Sequence, residues 1–264
     1  MNRPTEDKQD FPYWLVIVVV TGLWLFYEVL SDEVYALALQ TLAKGIWITV
    51  LVTVVAFAVA SLLGLLIAVA SLSRFVVLRQ AARLYVELIR GVPIIVLLLY
   101  IAFALAPAGV AFWNLVTGWF GLEAVKTRDF PLLWRAVMAL SFAYAAFLAE
   151  IFRAGLQSVD KGQIEAAEAL GLSGWQRFRH IVFPQAFQVI LPSYANDFVA
   201  MVKDSSLVSV LGVADVTQLG KVTAAGNFRY FETYNLVALI YLTMTIGLSL
   251  LLRKIEGRLR SRRN

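Results

Sequence analysis

The chain has 264 residues, of which 60% are apolar and 16% are charged, whereas soluble domains contain about 45–50% apolar and about 25% charged residues. A water-soluble globule of this composition would expose large apolar patches, which soluble monomers rarely tolerate. The composition therefore excludes an ordinary soluble domain and indicates a membrane protein with several spans. The absence of cysteine excludes disulfides and thiolate metal sites, and the single histidine argues against a histidine-based metal site or triad.

Six apolar segments are predicted to cross the membrane, because a spanning helix needs about 20 mostly apolar residues. In chain order they cover residues 11–27, 45–73, 91–122, 132–152, 190–211 and 233–252. The fifth segment gives the weakest signal, since it contains Asp197, Lys203 and Asp204. Within the third segment, Pro107 and Gly109 predict a break between one span and an interfacial segment. The first segment is not predicted to be a cleaved signal peptide, because no small-residue cleavage site follows it.

Lysine and arginine are distributed unequally between the two sides of these spans. The segments on the side of the two termini carry 16 of these residues, and the segments on the other side carry 7. Because basic residues accumulate in cytoplasmic loops, this asymmetry predicts that both termini are cytoplasmic. The basic tail at residues 257–264 is expected to support this orientation and to contact anionic lipid, and no nucleic-acid-binding motif accompanies it.

The longest polar connection on the predicted cytoplasmic side, residues 155–189, has the pattern of a helical hairpin. Asp160 and Ser173 are each followed three residues later by a glutamine, which is the spacing of a capping box at a helix start. Gly171 predicts the end of the first helix. The alanines of that helix make it narrow enough for the groove of a partner protein. The alternative is an amphipathic hairpin that rests on the lipid interface.

This hairpin resembles the EAA loop of bacterial ABC-importer permeases. That loop has the pattern Glu-Ala-Ala, three residues, glycine, nine residues, isoleucine, one residue and Leu-Pro, and Phe183 replaces its leucine here. The matching residues, which the resemblance implies to couple the chain to an ATPase, are Glu165, Ala166, Ala167, Gly171, Ile181 and Pro184.

Three further segments, residues 85–93, 149–158 and 202–210, are similar to segments of permeases for polar amino acids. The resemblance extends over about residues 41–256 and implies an all-α, polytopic membrane bundle with the type I ABC-importer permease fold. It divides the chain into an N-terminal tail with an additional helix (1–31), a five-span permease domain (32–256) that contains the coupling hairpin at about 158–184, and the basic tail (257–264).

The resemblance also implies the partners of the chain. In that family two permease subunits, identical or similar, form the pore, two cytoplasmic ATPase subunits receive the hairpins, and a periplasmic binding protein delivers the amino acid. The sequence itself also indicates a separate ATPase. It contains no Gly-x-x-x-x-Gly-Lys-Ser/Thr loop that would hold nucleotide phosphates. We therefore expect a non-enzymatic chain without a cofactor of its own, with ATP and magnesium bound by the partner ATPase.

Charged residues near the middle of a bilayer cost about 2.5–3.5 kcal/mol each and therefore indicate functional positions. Lys203 and Asp204 are adjacent, about 100° apart on a helix, and are not expected to pair with each other. A polar lining here would bind the ammonium and carboxylate of a zwitterionic substrate, although a purely structural role is the alternative. The candidate pathway residues are Glu150, Asn196, Lys203, Asp204, Ser205, Ser206 and Leu97.

Two of these candidates carry specific reservations. For Glu150, an ion pair with Arg153 or Arg90 would be a sufficient explanation. Leu97 stands where the family often has a substrate-facing glutamine, four residues after the proline of its Arg-Gly-Thr-Pro motif, so the identity of the amino acid stays open.

Two other classes of membrane protein fit the sequence less well. An ion-gradient-driven secondary transporter often has internal repeats, and the sequence shows none. A membrane enzyme would need a nucleophile with its base, a metal cluster or paired carboxylates, and the sequence offers no such set.

Overall fold

The computed structural model describes residues 13–261, and all regular secondary structure in this range is helical, as predicted. Residues 1–12 and 262–264, which include the start of the predicted first span and the end of the basic tail, lie outside the described part. The helices are α1 (Tyr13–Ser31), α2 (Glu33–Ser71), α3 (Val76–Gly91), α4 (Ile94–Tyr100), α5 (Ala106–Gly118), α6 (Leu132–Gln157), α7 (Lys161–Ala169), α8 (Gly174–Arg177), α9 (Phe183–Asp204), α10 (Val216–Asn227) and α11 (Tyr230–Ser261).

Four described helical stretches are long and apolar enough to cross a membrane. They correspond to the second, third, fourth and sixth predicted segments and cover Glu33–Ser71, Ile94–Gly118, Leu132–Gln157 and Tyr230–Arg258. The fifth predicted segment forms most of α9 and the 3-10 turn Ser205–Leu211, and it is not among these four stretches.

The second predicted segment was too short, because α2 begins at Glu33 rather than near residue 45. The Asp32 side chain accepts a hydrogen bond from the Val34 backbone amide at 2.7 Å and so caps the helix. The added turns bury Tyr35 and Leu42 in a cluster with Leu236 of α11. Tertiary packing therefore extends a helix that hydropathy alone would start later.

The predicted break at Pro107 and Gly109 is wrong. Helix α4 continues through a π-helical turn, Ile101–Leu105, directly into α5. The π turn shifts the hydrogen-bond register just before Pro107, which has no backbone amide hydrogen to donate. The buried Arg135 guanidinium of α6 donates to the Ala102 carbonyl oxygen at 3.2 Å, so one carbonyl of the turn has a partner from another helix.

Helices α2 and α6 form the centre of the bundle. One face of α2 buries small residues at every fourth position, namely Ala56, Ala60, Gly64 and Ala68. A Cβ atom at Gly64 would lie 3.0 Å from the Ala145 carbonyl oxygen of α6, so the two backbones approach closely, as small residues allow in membranes. In its most apolar stretch α6 is 67% buried, whereas α11 is 17% buried.

The far end of α9 is joined to α11 through Asp215. This buried carboxylate accepts hydrogen bonds from the Gln218 backbone amide at 2.8 Å and from the Tyr241 hydroxyl at 3.0 Å. Burial raises the pKa of Asp215 above its ordinary value, whereas these hydrogen bonds lower it. The carboxylate caps α10 and ties it to α11, which gives the end of the bundle opposite the hairpin a defined arrangement.

Candidate functional site

The two helix starts of the hairpin form through side-chain caps. At Ser173 the predicted capping box is confirmed, with Gln176 Oε1 2.9 Å from the Ser173 amide and Ser173 Oγ 3.4 Å from the Gln176 amide. Asp160 also caps its helix, but through the Gly162 amide at 2.7 Å. Its predicted box partner, Gln163, instead accepts a hydrogen bond from Gln185 Nε2 at 2.6 Å.

The turn between the two hairpin helices is at Gly171, whose φ of +75° confirms the predicted left-handed helix end. The turn presents large apolar side chains, since Leu170 is 80% exposed and Trp175 is 66% exposed. In α7, Glu165 and Ala166 are exposed, whereas Ala167 is buried. The hairpin therefore presents a narrow, partly apolar tip rather than a packed surface.

The hairpin is connected firmly to α9. Arg177 and Glu168 form an ion pair between its two arms, and Gln185 links α9 to α7. The candidate residues Ile181, in the π-helical turn Phe178–Val182, and Pro184, at the start of α9, are half-buried. A row of aromatic rings with centroids 5.8–6.0 Å apart continues from α8 into α9 through Trp175, Phe178, Phe183 and Phe187. Side-chain contacts therefore join the hairpin to α9.

A second polar group lies between α6 and α9, far from the hairpin in sequence. The Tyr144 hydroxyl donates to Asp204 Oδ2 at 2.7 Å, and Tyr144 is 3% exposed. Asp197 is placed two turns before Asp204 on α9 and is half-buried. Lys203 and Asn196 are exposed, and Lys203 forms no ion pair within residues 13–261.

The remaining pathway candidates are distributed around this group. Ser205 is buried and donates to the Val202 carbonyl oxygen at 2.7 Å, and Ser206 is half-buried in the same 3-10 turn. Leu97 is buried on α4, which packs against this turn. Glu150 does not belong to the group, because its carboxylate accepts from Arg153 at 3.0 and 2.6 Å.

Sequence reasoning missed Tyr144, the direct partner of Asp204. The tyrosine stands in an apolar run, where it has no distinguishing local pattern. A general signal was available, because a carboxylate in a membrane segment needs a hydrogen-bond donor, but 60 residues separate the two partners. Among residues 13–261, no group of three or more histidine, aspartate or glutamate residues could hold a metal ion.

Solved structures define the class of protein to which this fold belongs. The chain is 36% identical to a subunit of an amino acid ABC transporter crystallised with histidines, with a TM-score of 0.69 over 83% of this chain and 94% of that one. It also matches a chain of the inward-facing MetNI methionine ABC transporter with a TM-score of 0.64 over 83% and 96% of the two chains, at 19% identity. The bundle therefore has the fold of type I ABC-importer permeases.

The family follows from the sequence. Residues 60–262 match the family model described as "Binding-protein-dependent transport system inner membrane component". The chain belongs to this family and is a multi-pass inner-membrane transport subunit. Membership supports a binding-protein-dependent transporter over an ion-gradient-driven secondary transporter.

Curated relatives cover most of the chain. The probable amino-acid permease protein YxeN of Bacillus subtilis (strain 168) is 37% identical over 81% of this chain and 89% of its own length. The glutamine transport system permease protein GlnP of Escherichia coli (strain K12) is 34% identical over 84% of this chain and 94% of its own length. The arginine transport system permease protein ArtQ of Bacillus subtilis (strain 168) is 30% identical over 83% of this chain and 92% of its own length.

Proposed function

We propose that this chain is the permease subunit of an ATP-driven importer of polar amino acids. The observation that carries the proposal is an exposed helical hairpin with the EAA-loop residues, joined rigidly to α9 of a membrane helix bundle. The names of the relatives, which concern glutamine, arginine and unspecified amino acids, support the substrate class.

Coupling takes place at the hairpin, residues 158–184. Leu170 and Trp175 are large, exposed apolar groups on a narrow tip, which suits insertion into a groove of a separate cytoplasmic ATPase subunit. Because the chain lacks a phosphate-binding loop of the Walker type, ATP and magnesium bind to that partner. Closure of the ATPase pair moves the hairpin, and the aromatic row transmits this movement to α9.

The substrate pathway runs along α9 and the 3-10 turn after it. The carboxylate of Asp204, oriented by Tyr144, accepts the substrate ammonium, whereas the exposed Lys203 and Asn196 contact the substrate where α9 faces a second permease subunit. Ser205, Ser206 and Leu97 shape the turn beside this group. The polar side chains thus lie where a bilayer-facing helix would carry apolar ones.

The rest of the assembly follows from the family and the charge distribution. A second copy of this chain, or a similar chain, completes the pore, and a periplasmic binding protein delivers the amino acid. Both termini are cytoplasmic. The helix α1 is an addition before the permease domain (32–256), and residues 257–264 form a basic cytoplasmic tail.

Reconstitution in proteoliposomes tests this function. The chain is purified with the ATPase and binding protein encoded by neighbouring genes, and uptake of radiolabelled L-glutamine and L-arginine is measured with and without ATP. We expect ATP- and binding-protein-dependent uptake and no ATP hydrolysis by this chain purified alone. Uptake driven by an ion gradient without ATP, or hydrolysis by the chain alone, would overturn the proposal.

A further inference from the structure

At the end of the bundle that carries the hairpin, α2, α3 and α6 line an open cavity of about 290 Å³. Its walls carry two residues of each charge, Arg83 and Glu87 from α3 and Glu150 and Arg153 from α6. The volume is near the lower limit of about 300–1,000 Å³ usual for drug-sized ligands. Balanced charge and small volume suit a small molecule with both charges better than a simple anion or cation.

Two of these four charges neutralise each other within α6. Arg153 donates to both carboxylate oxygens of Glu150 and, at 2.9 Å, to Gln157 Oε1. The side chains of Arg83 and Glu87, in contrast, form no ion pair or hydrogen bond with any residue of the described range 13–261. They are four residues apart and so share one face of α3. One free guanidinium and one free carboxylate therefore line the same cavity.

The orientation of this face is determined by packing. Ala82 and Val86, which also line the cavity, are buried at 6% and 5% exposure. Between them, Tyr85 donates through its hydroxyl to the Phe142 carbonyl oxygen of α6 at 2.6 Å. This hydrogen bond joins α3 to α6, and the exposed side chains of Arg83 and Glu87 lie at the wall of the cavity.

We propose that this cavity binds a free α-amino acid, with its carboxylate on Arg83 and its ammonium on Glu87. A guanidinium binds a carboxylate through two parallel hydrogen bonds, and a carboxylate accepts hydrogen bonds from an ammonium group. The neutral Glu150–Arg153 pair forms the opposite wall without repelling either charge. Because every α-amino acid carries both recognised groups, the site accepts ligands with different side chains.

The inference rests on the proposed function, in which the imported amino acid is released at the hairpin end of the bundle. The cavity is separate from the Tyr144–Asp204 group, neither of whose residues lines it. Arg153 lies four residues before the end of α6, and the hairpin follows directly. An amino acid in the cavity therefore binds next to the element that moves during coupling, so an accumulated product slows its own import.

Uptake by reconstituted transporter tests this site. Proteoliposomes are loaded with ATP and with increasing unlabelled L-glutamine or L-arginine, and the initial uptake of the same radiolabelled amino acid is measured. We expect inhibition by the internal amino acid in the wild type. Arg83→Gln and Glu87→Gln should each raise the half-inhibiting concentration at least tenfold, with unchanged uptake into liposomes that contain only ATP.

Matched controls separate the cavity from general charge effects. Arg74→Gln and Glu123→Gln change the same residue types at exposed positions outside the cavity and should leave inhibition as in the wild type. Internal glutaramate, which lacks the α-ammonium of glutamine, and 4-aminobutanamide, which lacks its α-carboxylate, should not inhibit. Equal inhibition of the wild type, Arg83→Gln and Glu87→Gln, or inhibition by either analogue, would overturn the proposal.

A binding measurement keeps this test distinct from the proposed function. If the wild type shows no ATP-dependent uptake, the proposed function fails, and the cavity is tested by equilibrium dialysis of the purified transporter against radiolabelled L-glutamine. The Asp204→Ala variant, in which the central group is disrupted, should retain this binding, and Asp204→Ala/Arg83→Gln should lose it. Retention of binding by the double variant would contradict the proposed site.

Discussion

The hairpin and the Tyr144–Asp204 group differ in the sequence distance of the contacts that form them. In the hairpin, the caps at Asp160 and Ser173 and the glycine turn join residues at most five positions apart. The central group joins residues 60 positions apart across two helices. The hairpin is therefore a locally encoded, exposed element suited to a partner, whereas the central group exists only when α6 and α9 are packed together.

The strongest test of the hairpin is Gly171→Asp. A residue with a side chain at φ +75° costs about 1 kcal/mol or more, and the carboxylate would enter the proposed docking tip beside Leu170. We expect at least a tenfold loss of ATP-dependent uptake and a loss of co-purifying ATPase. Gly174→Asp is the matched control, because Gly174 begins α8, where an acidic residue is favourable and nothing lies within 4 Å of the added Cβ. Equal effects of both variants, or none from Gly171→Asp, would contradict the role of the turn.

The corresponding test of the central group is Asp204→Ala, which removes the acceptor of the Tyr144 hydroxyl. Uptake should fall about tenfold, while co-purification of the ATPase stays unchanged, because the hairpin is not affected. Tyr144→Phe should have a smaller effect, since it removes one hydrogen bond and leaves the carboxylate of Asp204 in place. Lys203→Ala should also lower uptake without loss of the co-purifying ATPase. A parallel loss of docking would show that the group is structural.

The packing on which the central group depends is tested by Gly64→Leu. The added side chain would meet the α6 backbone and the Leu148 side chain at about 3 Å, and overpacking costs about 1–3 kcal/mol. We expect a lower unfolding temperature of the detergent-purified chain. Ala58→Leu places the same side chain on the exposed face of α2 and should change the unfolding temperature little. Equal effects of the two variants would contradict a close α2–α6 contact.

The smallest expected effect concerns a single cap. Ser173→Ala removes the acceptor for the Gln176 amide, and loss of a cap costs about 1 kcal/mol. Because the ion pair of Arg177 and Glu168 still joins the two arms, uptake should fall only a few-fold. Ser193→Ala, at an exposed position of α9, is the control in the same uptake assay. A loss as large as that of Gly171→Asp would mean that the cap, rather than the turn, maintains the hairpin.

Hydropathy and short-range patterns were sufficient for the membrane class, for the approximate positions of four long helices and for the hairpin turn at Gly171. The reason is that lipid burial depends on the composition of a segment, and capping depends on neighbours within one turn. The start of α2 at Glu33 was not predictable from hydropathy, although its cap at Asp32 is local, because the added turns are buried against α11. The continuous helix through Pro107 was not predictable either, since the π-helical turn before it contacts α6.

The candidate site also combines features that local patterns predict with features that depend on contacts between helices. The hairpin residues follow from a local pattern, and the carboxylate of Asp204 stands out because lipid makes an isolated charge costly. Its partner Tyr144, the separation of Glu150 from the central group, and the cavity lined by Arg83 and Glu87 emerged only from the packed helices. Composition and spacing identify which residues are unusual in a membrane, but only the packing of α2, α3, α6 and α9 determines which of them meet, because helix contacts join residues far apart in the chain.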